Sequence, residues 1–392
     1  MTKIYLIAGE MSGDFIGGQL IKNLKDLYDQ DGGIELVGIG GKKMEKAGLG
    51  HSLFNIDQIN LMGFAEIIPH IFTITKLINK TVDDIVSHSP DLLITIDSPG
   101  FTYRVAKKVR EQSPKLKMLH IVAPSVWVYK EGRAAKYAKL YDYLFALLPF
   151  EPPYFQKVGL DCRYIGHPIV EQKYYGTNDK ASLREELQIP ITTKVLCVTP
   201  GSRKGEIERL LPIFSKALNI VAKQLNNIKV IFVIADPNHQ TLIEAHLQDA
   251  LFQYSFSQDK INIFAASDVA LAKSGTNTLE IAASDTAMIV AYKLNIFSYF
   301  LVRWLIKIRY VSLINIIASK AIIPELIQFD CTSEKISSHL IELLTNADKA
   351  TLQTQEANSV LQTLGFKSSS SPSNIAAKII KSEIATRMQT NR

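Results

Sequence analysis

"IYLIAGEMSGDFIGG", residues 4–18, is an apolar run that ends in a glycine-rich turn and continues into a helix-like stretch. Strand, tight turn and helix in that order make the first half of a βαβ unit. The turn after such a strand is commonly a phosphate cradle, because free N–H groups at a helix start attract anions. This turn instead carries two carboxylates, Glu10 and Asp14, which repel phosphate. Its glycines, Gly9, Gly13, Gly17 and Gly18, do not follow G-x-G-x-x-G, and there is no Walker Lys-Ser/Thr. A purely structural reading is tight strand–helix packing with Ser12 as a helix cap. The functional reading is a sugar or acceptor site, since carboxylates and a serine bind hydroxyl groups well.

The same alternation continues along all 392 residues, enough chain for two or three domains. Strand-like runs in the first half are "KIYLIA", "IELVGI", "DLLITID", "KMLHIV", "DYLFALL" and "CRYIG", with helical stretches at 15–28, 66–88 and 101–112 between them. In the second half they are "KVLCVTP", "KVIFVIA", "INIF", "VALAKS" and "AMIVAY". This predicts an α/β protein with two Rossmann-like, doubly wound parallel domains facing a cleft. The expected boundaries are 1–167, 168–345 and a helical C-terminal segment, 346–392, that packs back on the N-terminal domain or on a second subunit. A homodimer is one arrangement this allows.

Apolar residues make up 47% of the chain, so it folds, and the net charge of +6 suits an anionic partner without naming one. There is no Arg-rich run or aromatic–basic repeat, so nucleic acid is not expected. Cys162, Cys197 and Cys331 form no CxxC or zinc spacing, and a reduced cytosolic protein is the default. The N-terminal apolar run is too short for a signal peptide, and no uncharged stretch is long enough to span a membrane. "DQD" at 29–31 lies at a polar helix end before Gly32-Gly33 and reads as a solvated turn. Neither a metal nor a cofactor is expected.

Three strand ends carry chemistry. "LLITIDSPGF", 92–101, ends a buried strand in Asp97, where a carboxylate beyond the carboxyl edge of a parallel sheet can act as a general base. A helix cap is the competing reading. "VTPGSRKGEIERLLP", 198–212, passes from a strand through Gly201, Ser202 and Arg203 into a helix, a good frame for a diphosphate. "LAKSGTNTLE", 271–280, repeats the idea with Lys273, Ser274, Gly275 and Thr276, and Glu280 is placed to hold two ribose hydroxyls. Two such loops in one domain favour a nucleotide site.

No acidic residue occurs between Asp285 and Glu325, a stretch with Arg303, Lys307 and Arg309 among aromatic and aliphatic residues including Trp304. A second acid-free stretch, 67–82, holds Ile67, Ile68, Ile71, Phe72, Ile74, Leu77 and Ile78. Apolar groups beside cations suit an anionic lipid surface, and core packing is the alternative for about half of them.

Ordered blocks carry a family resemblance: "AGEMSGD" (8–14), "LMGFAEII" (61–68), "IDSPGF" (96–101), "APSVWVYKEGR" (123–133), "LLPFEPPYF" (147–155), "IGHP" (165–168), "PGSRKGEIERLLP" (200–212), "KSGTNTLE" (273–280), "YVSLINIIA" (310–318) and "PELIQ" (324–328). Over nearly its whole length the chain resembles the lipid A disaccharide synthases, inverting glycosyltransferases of the GT-B fold. The resemblance implies transfer of a diacylglucosamine from its UDP derivative to diacylglucosamine 1-phosphate, on the inner face of the cytoplasmic membrane. With it goes the reading of Asp97 as base and Glu10 as a second catalytic candidate, and of Glu10, Ser12, Gly13 and Asp14 on the acceptor side. It also implies Asn315, Glu325 and Gln328 near the donor sugar. Ile314 and Ser319 depart from the family's usual proline and glycine in that last loop. A UDP-N-acetylglucosamine 2-epimerase, a lipid-linked N-acetylglucosaminyltransferase and a non-catalytic nucleotide-binding membrane protein are the alternatives. The acid-free apolar stretches favour a lipid substrate over the epimerase.

Overall fold

The computed structural model describes residues 1–29, 32–60, 67–174, 176, 179–296, 299, 304 and 308–390. It divides into two compact units, Met1–Pro168 together with Ser368–Arg392, and Ile169–Lys367.

The first unit holds strands β1 (Thr2–Ala8), β2 (Ile34–Ile39), β3 (Leu92–Ile96), β4 (Lys117–Ile121), β5 (Tyr143–Ala146) and β6 (Asp161–Tyr164). All pair in parallel, in the order β2-β1-β3-β4-β5-β6. Strands buried on both faces read as continuous apolar runs, which is why "IYLIA" and "LLITI" show no polar alternation. Side chains nonetheless divide by the period of two. Tyr5, Ile7, Leu93, Met118 and Leu144 enter one core with helices Ile67–His88 and Pro99–Gln112. Ile4, Leu6, Ile94, Leu119 and Phe145 enter the other, beneath helix Met11–Tyr28. That second core also receives Ala376, Ala377, Ile380 and Ile384 from the last helix, Pro372–Thr390. Lys381 Nζ fixes this helix to the Leu27 carbonyl at 2.7 Å, and Asn23 bonds Ser373 at 2.9 Å.

The second unit repeats the plan with β7 (Lys194–Thr199), β8 (Ile228–Val233), β9 (Gln253–Ser257), β10 (Val269–Lys273), β11 (Ala287–Tyr292) and β12 (Glu325–Ile327) in the order β12-β11-β10-β7-β8-β9. The long helix Lys204–Gln224 buries Ile207, Leu210, Leu211 and Phe214 against β7, β8, β10 and β11.

Several expectations are corrected here. "INIF" is not a strand. It lies in helix Lys260–Ala266, capped by the Asp259 side chain on the Asn262 N–H at 3.3 Å. The strand is the more polar "QYSFS" just before it, at the sheet edge. The C-terminal segment is not one body. Helix Ala347–Thr363 stays with the second unit, where Gln353 Oε1 accepts the Met288 N–H at 2.6 Å, and only the last helix returns to the first. The first helix begins at Met11, so Ser12 is inside it and not its cap. Of the "DQD" turn, Gln30 and Asp31 lie outside the described residues.

Candidate active site

In the first unit the register Ala8↔Ile96 sets the carboxyl ends of β1 and β3 side by side. Asp97 follows directly on β3, and Glu10 follows β1 after Gly9. Asp97 and Ser98 both have left-handed backbone, φ 51° and 47°. Two successive non-glycine residues there cost of order 1–3 kcal/mol each and need outside support. The Asp97 N–H bonds the Ile121 carbonyl at 3.0 Å, and the Thr102 hydroxyl donates to the carbonyls of Asp97 at 2.7 Å and Ser98 at 3.0 Å.

Burial raises the Asp97 carboxyl above its ordinary value, opposed by the Ser98 N–H at 2.8 Å and by the Ser12 hydroxyl. Glu10 is raised too, first by burial and then by the negative charge of Asp97, with the Ser98 hydroxyl opposing. Two neighbouring carboxyls with raised proton affinity suit base catalysis near neutral pH. Tyr137, buried under this corner, feels the Asp97 charge, and its hydroxyl is pushed up to about 12, chiefly by burial. Nothing in the sequence marks it, because helix Pro99–Gln112 and strand β4 separate Asp97 from Tyr137 along the chain.

Asp14 does not belong with them. It is 6% exposed and accepts the backbone N–H groups of Gly41, Lys43 and Met44 at 2.8, 3.0 and 3.0 Å. It therefore clamps the start of helix Lys42–Ala47. Gly13 is also structural. A Cβ there would stand 3.2 Å from the Ile96 carbonyl oxygen and 3.3 Å from Ala8 Cβ, so the missing side chain serves helix-on-sheet packing. Glu10 and Ser12 remain beside Asp97.

In the second unit a cavity of about 330 Å³ opens at the carboxyl ends of β7, β8 and β10. Gly201 and Ser202 form one wall, Ser274, Gly275 and Thr276 another, and Glu280 lies with them. The two loops picked out by sequence thus share one site. Glu280 is buried, and its Oε1 accepts from Lys260 Nζ at 2.5 Å. Lys260 and the segment Val233, Ile234 and Ala235 line the cavity as well. The second group was detectable, since it ends β8 as Ser202 follows β7. Lys260 carries no such mark, because the apolar "INIF" after it reads as a strand although it is helical. Asn277, another lining residue, bonds Thr199 Oγ1 at 2.7 Å and ties the two loops.

Arg203 is not in the lining. Its side chain is 84% exposed, with Glu206 the nearest carboxylate at 3.8 Å. Asn315, Glu325 and Gln328 also lie outside it. Glu325 accepts the Val311 and Ser312 N–H groups at 2.9 and 2.8 Å. Asn315 is fully buried and bonds Glu325, the Ile323 carbonyl and the N–H groups of Ile322 and Ile323. Gln328 accepts the Leu294 N–H at 3.0 Å. Asn315 and Glu325 thus tie residues 311–325 together, and Gln328 ties Leu294 to the end of β12. Spacing alone does not separate such bracing from ligand binding.

Among the residues named for a membrane surface, Phe72 is 85% exposed and Trp304 is 84% exposed. Leu77 and Ile78 are core, and Ile74 packs against it. The side chains of Ile67, Ile68 and Ile71, and the residues Arg303 and Lys307, lie outside the described set. No helix among the described residues is long and apolar enough to cross a membrane.

A family model described as lipid-A-disaccharide synthetase matches residues 4–379. The chain belongs to that family. Relatives named lipid-A-disaccharide synthase include proteins of Rickettsia bellii (strain OSU 85-389), 62% identical over 98% of this chain and 99% of that one, and Rickettsia prowazekii (strain Madrid E), 60% identical over 98% and 100%. Solved structures share the fold at low identity. A Staphylococcus aureus MnaA–UDP structure matches with TM-score 0.63 at 14% identity, covering 99% of this chain and 97% of that one. A sucrose-phosphate synthase of Thermosynechococcus elongatus matches with TM-score 0.62 at 14% identity over 100% of both. The fold of this lipid-A-disaccharide synthetase family member is thus the two-domain GT-B architecture of glycosyltransferases.

Proposed function

We propose a division of labour in which the first unit supplies the base and the acceptor site and the second unit holds UDP. The reaction joins UDP-2,3-diacylglucosamine to 2,3-diacylglucosamine 1-phosphate, giving the β-1,6-linked disaccharide 1-phosphate and UDP. The observation that carries the reading is Asp97, braced in a left-handed turn at a strand end beside Glu10. Asp97 takes the proton of the acceptor's primary hydroxyl as its oxygen bonds to the anomeric carbon. The bond to UDP breaks on the opposite face, and its electron pair leaves on the diphosphate. One such displacement inverts an α-linked donor to a β-linked product. Ser12 and Glu10 orient the acceptor. Gly201, Ser202, Ser274, Gly275 and Thr276 hold the nucleotide, and Glu280 its ribose.

Exposed Phe72 and Trp304 support peripheral attachment to the inner-membrane surface, where both acylated substrates reside. The epimerase alternative is not favoured. The relatives at about 60% identity carry the synthase name, while solved UDP-N-acetylglucosamine 2-epimerases match as fold likenesses at 12% identity. The deciding assay is UDP release with and without diacylglucosamine 1-phosphate. Release that does not need this acceptor would sink the reading.

A further inference from the structure

The cations near the donor cavity are not equivalent. Arg203 points outward, and Lys260 is committed to Glu280. Lys273 ends β10 and lines the cavity, its Nζ 3.0 Å from Glu206 Oε1 and 5.3 Å from the centre of the Tyr292 ring. Glu206 is buried in the first turn of helix Lys204–Gln224, and its second oxygen, Oε2, has no hydrogen-bond partner. Gly201 passes over that oxygen with φ +125°, and a Cβ there would stand 2.8 Å from it. An orphaned carboxylate oxygen under a loop built for an anion is expensive and electrostatically contrary. It makes sense if the carboxylate's task is to aim one cation.

We propose that Lys273, aimed by Glu206, is the cation this chain sets against the diphosphate of its nucleotide-sugar donor, with Glu206 a positioning residue that does not touch the donor. The inference rests on the reading of this cavity as the UDP site. An ammonium has three donors. Glu206 takes one and the Tyr292 face shields a side of the group, leaving a donor for a phosphate oxygen. At 21% exposure the Lys273 side chain is desolvated enough for that bond to count and open enough to make it.

The test is calorimetric binding of UDP and of uridine to the full chain, for wild type and four variants. Lys273→Met removes the cation, and the double variant Lys273→Met/Glu206→Gln removes it without stranding a buried charge. Both should bind UDP about 10-fold or more weakly and uridine as wild type does. Glu206→Ala should lose the preference for UDP over uridine, and Glu206→Gln, which keeps an acceptor for Lys273, should retain most of it. Undiminished UDP affinity in the double variant overturns the proposal, as does an equal loss of UDP and uridine. An unaltered preference in Glu206→Ala overturns the aiming role. If wild type binds neither ligand, the reading of the cavity itself fails.

Discussion

Replacing Asp14 by alanine should unfold the protein's first unit sooner without touching its chemistry. The carboxylate accepts three backbone N–H groups, and the bond to Met44 is fully buried while those to Gly41 and Lys43 are partly so. A buried donor left without an acceptor costs about 1–3 kcal/mol. Taking the upper part of that range for Met44 and the lower part for the two that water can reach gives about 4–5 kcal/mol. For a domain of this size each kcal/mol moves Tm by about 2–4 °C, so the first transition should fall by roughly 8–20 °C. Scanning calorimetry reads that shift, and kcat measured well below the transition should stay near wild type. A variant that melts within about 2 °C of wild type yet loses its turnover would return Asp14 to the acceptor site and refute the clamp.

Asp97→Asn should lower kcat by ~10²–10⁴ with UDP affinity nearly unchanged, and a variant retaining most of its turnover would move the base to Glu10. Because burial raises both Asp97 and Glu10, and the base works deprotonated, the acid limb of kcat/KM should lie above the usual carboxylate range. Activity is then lost as pH falls through the raised value. Glu10→Gln removes the neighbouring negative charge and should move that limb to lower pH, so an unmoved limb in its pH–rate profile would show the pair to be uncoupled. Phe72→Ser and Trp304→Ser should each weaken sedimentation with anionic vesicles while leaving Tm unchanged, whereas Ile74→Ser should lower Tm. Vesicle binding that survives both aromatic changes would argue against that surface.

The parallel sheets were legible because strands covered on both faces must be mostly apolar, as β1, β3, β7 and β10 are. Edge strands escape that rule. "QYSFS" is half exposed and was passed over for the more apolar "INIF", which a capping Asp259 turns into a helix. The two glycine loops of the second unit were readable because each sits at a strand end, where the fold itself collects ligands. Polar residues that serve the backbone were not readable. Asp14 meets its partners about 30 residues on, and Asn315 meets Glu325 only after the chain has turned back. Carboxylates and amides look alike in sequence whether they face a sugar or an N–H group.

The last helix, Pro372–Thr390, closes the core under β1, β3 and β4, so the second unit is an insertion within the first. During synthesis the N-terminal sheet is therefore made first and finished last. One of its faces waits, bare of Ala376, Ile380 and Ile384, while some two hundred residues of the other unit emerge and fold. The hazard of that interval is aggregation through an apolar sheet face. Any premature stop before residue 372 makes the interval permanent, whatever the state of the catalytic residues upstream.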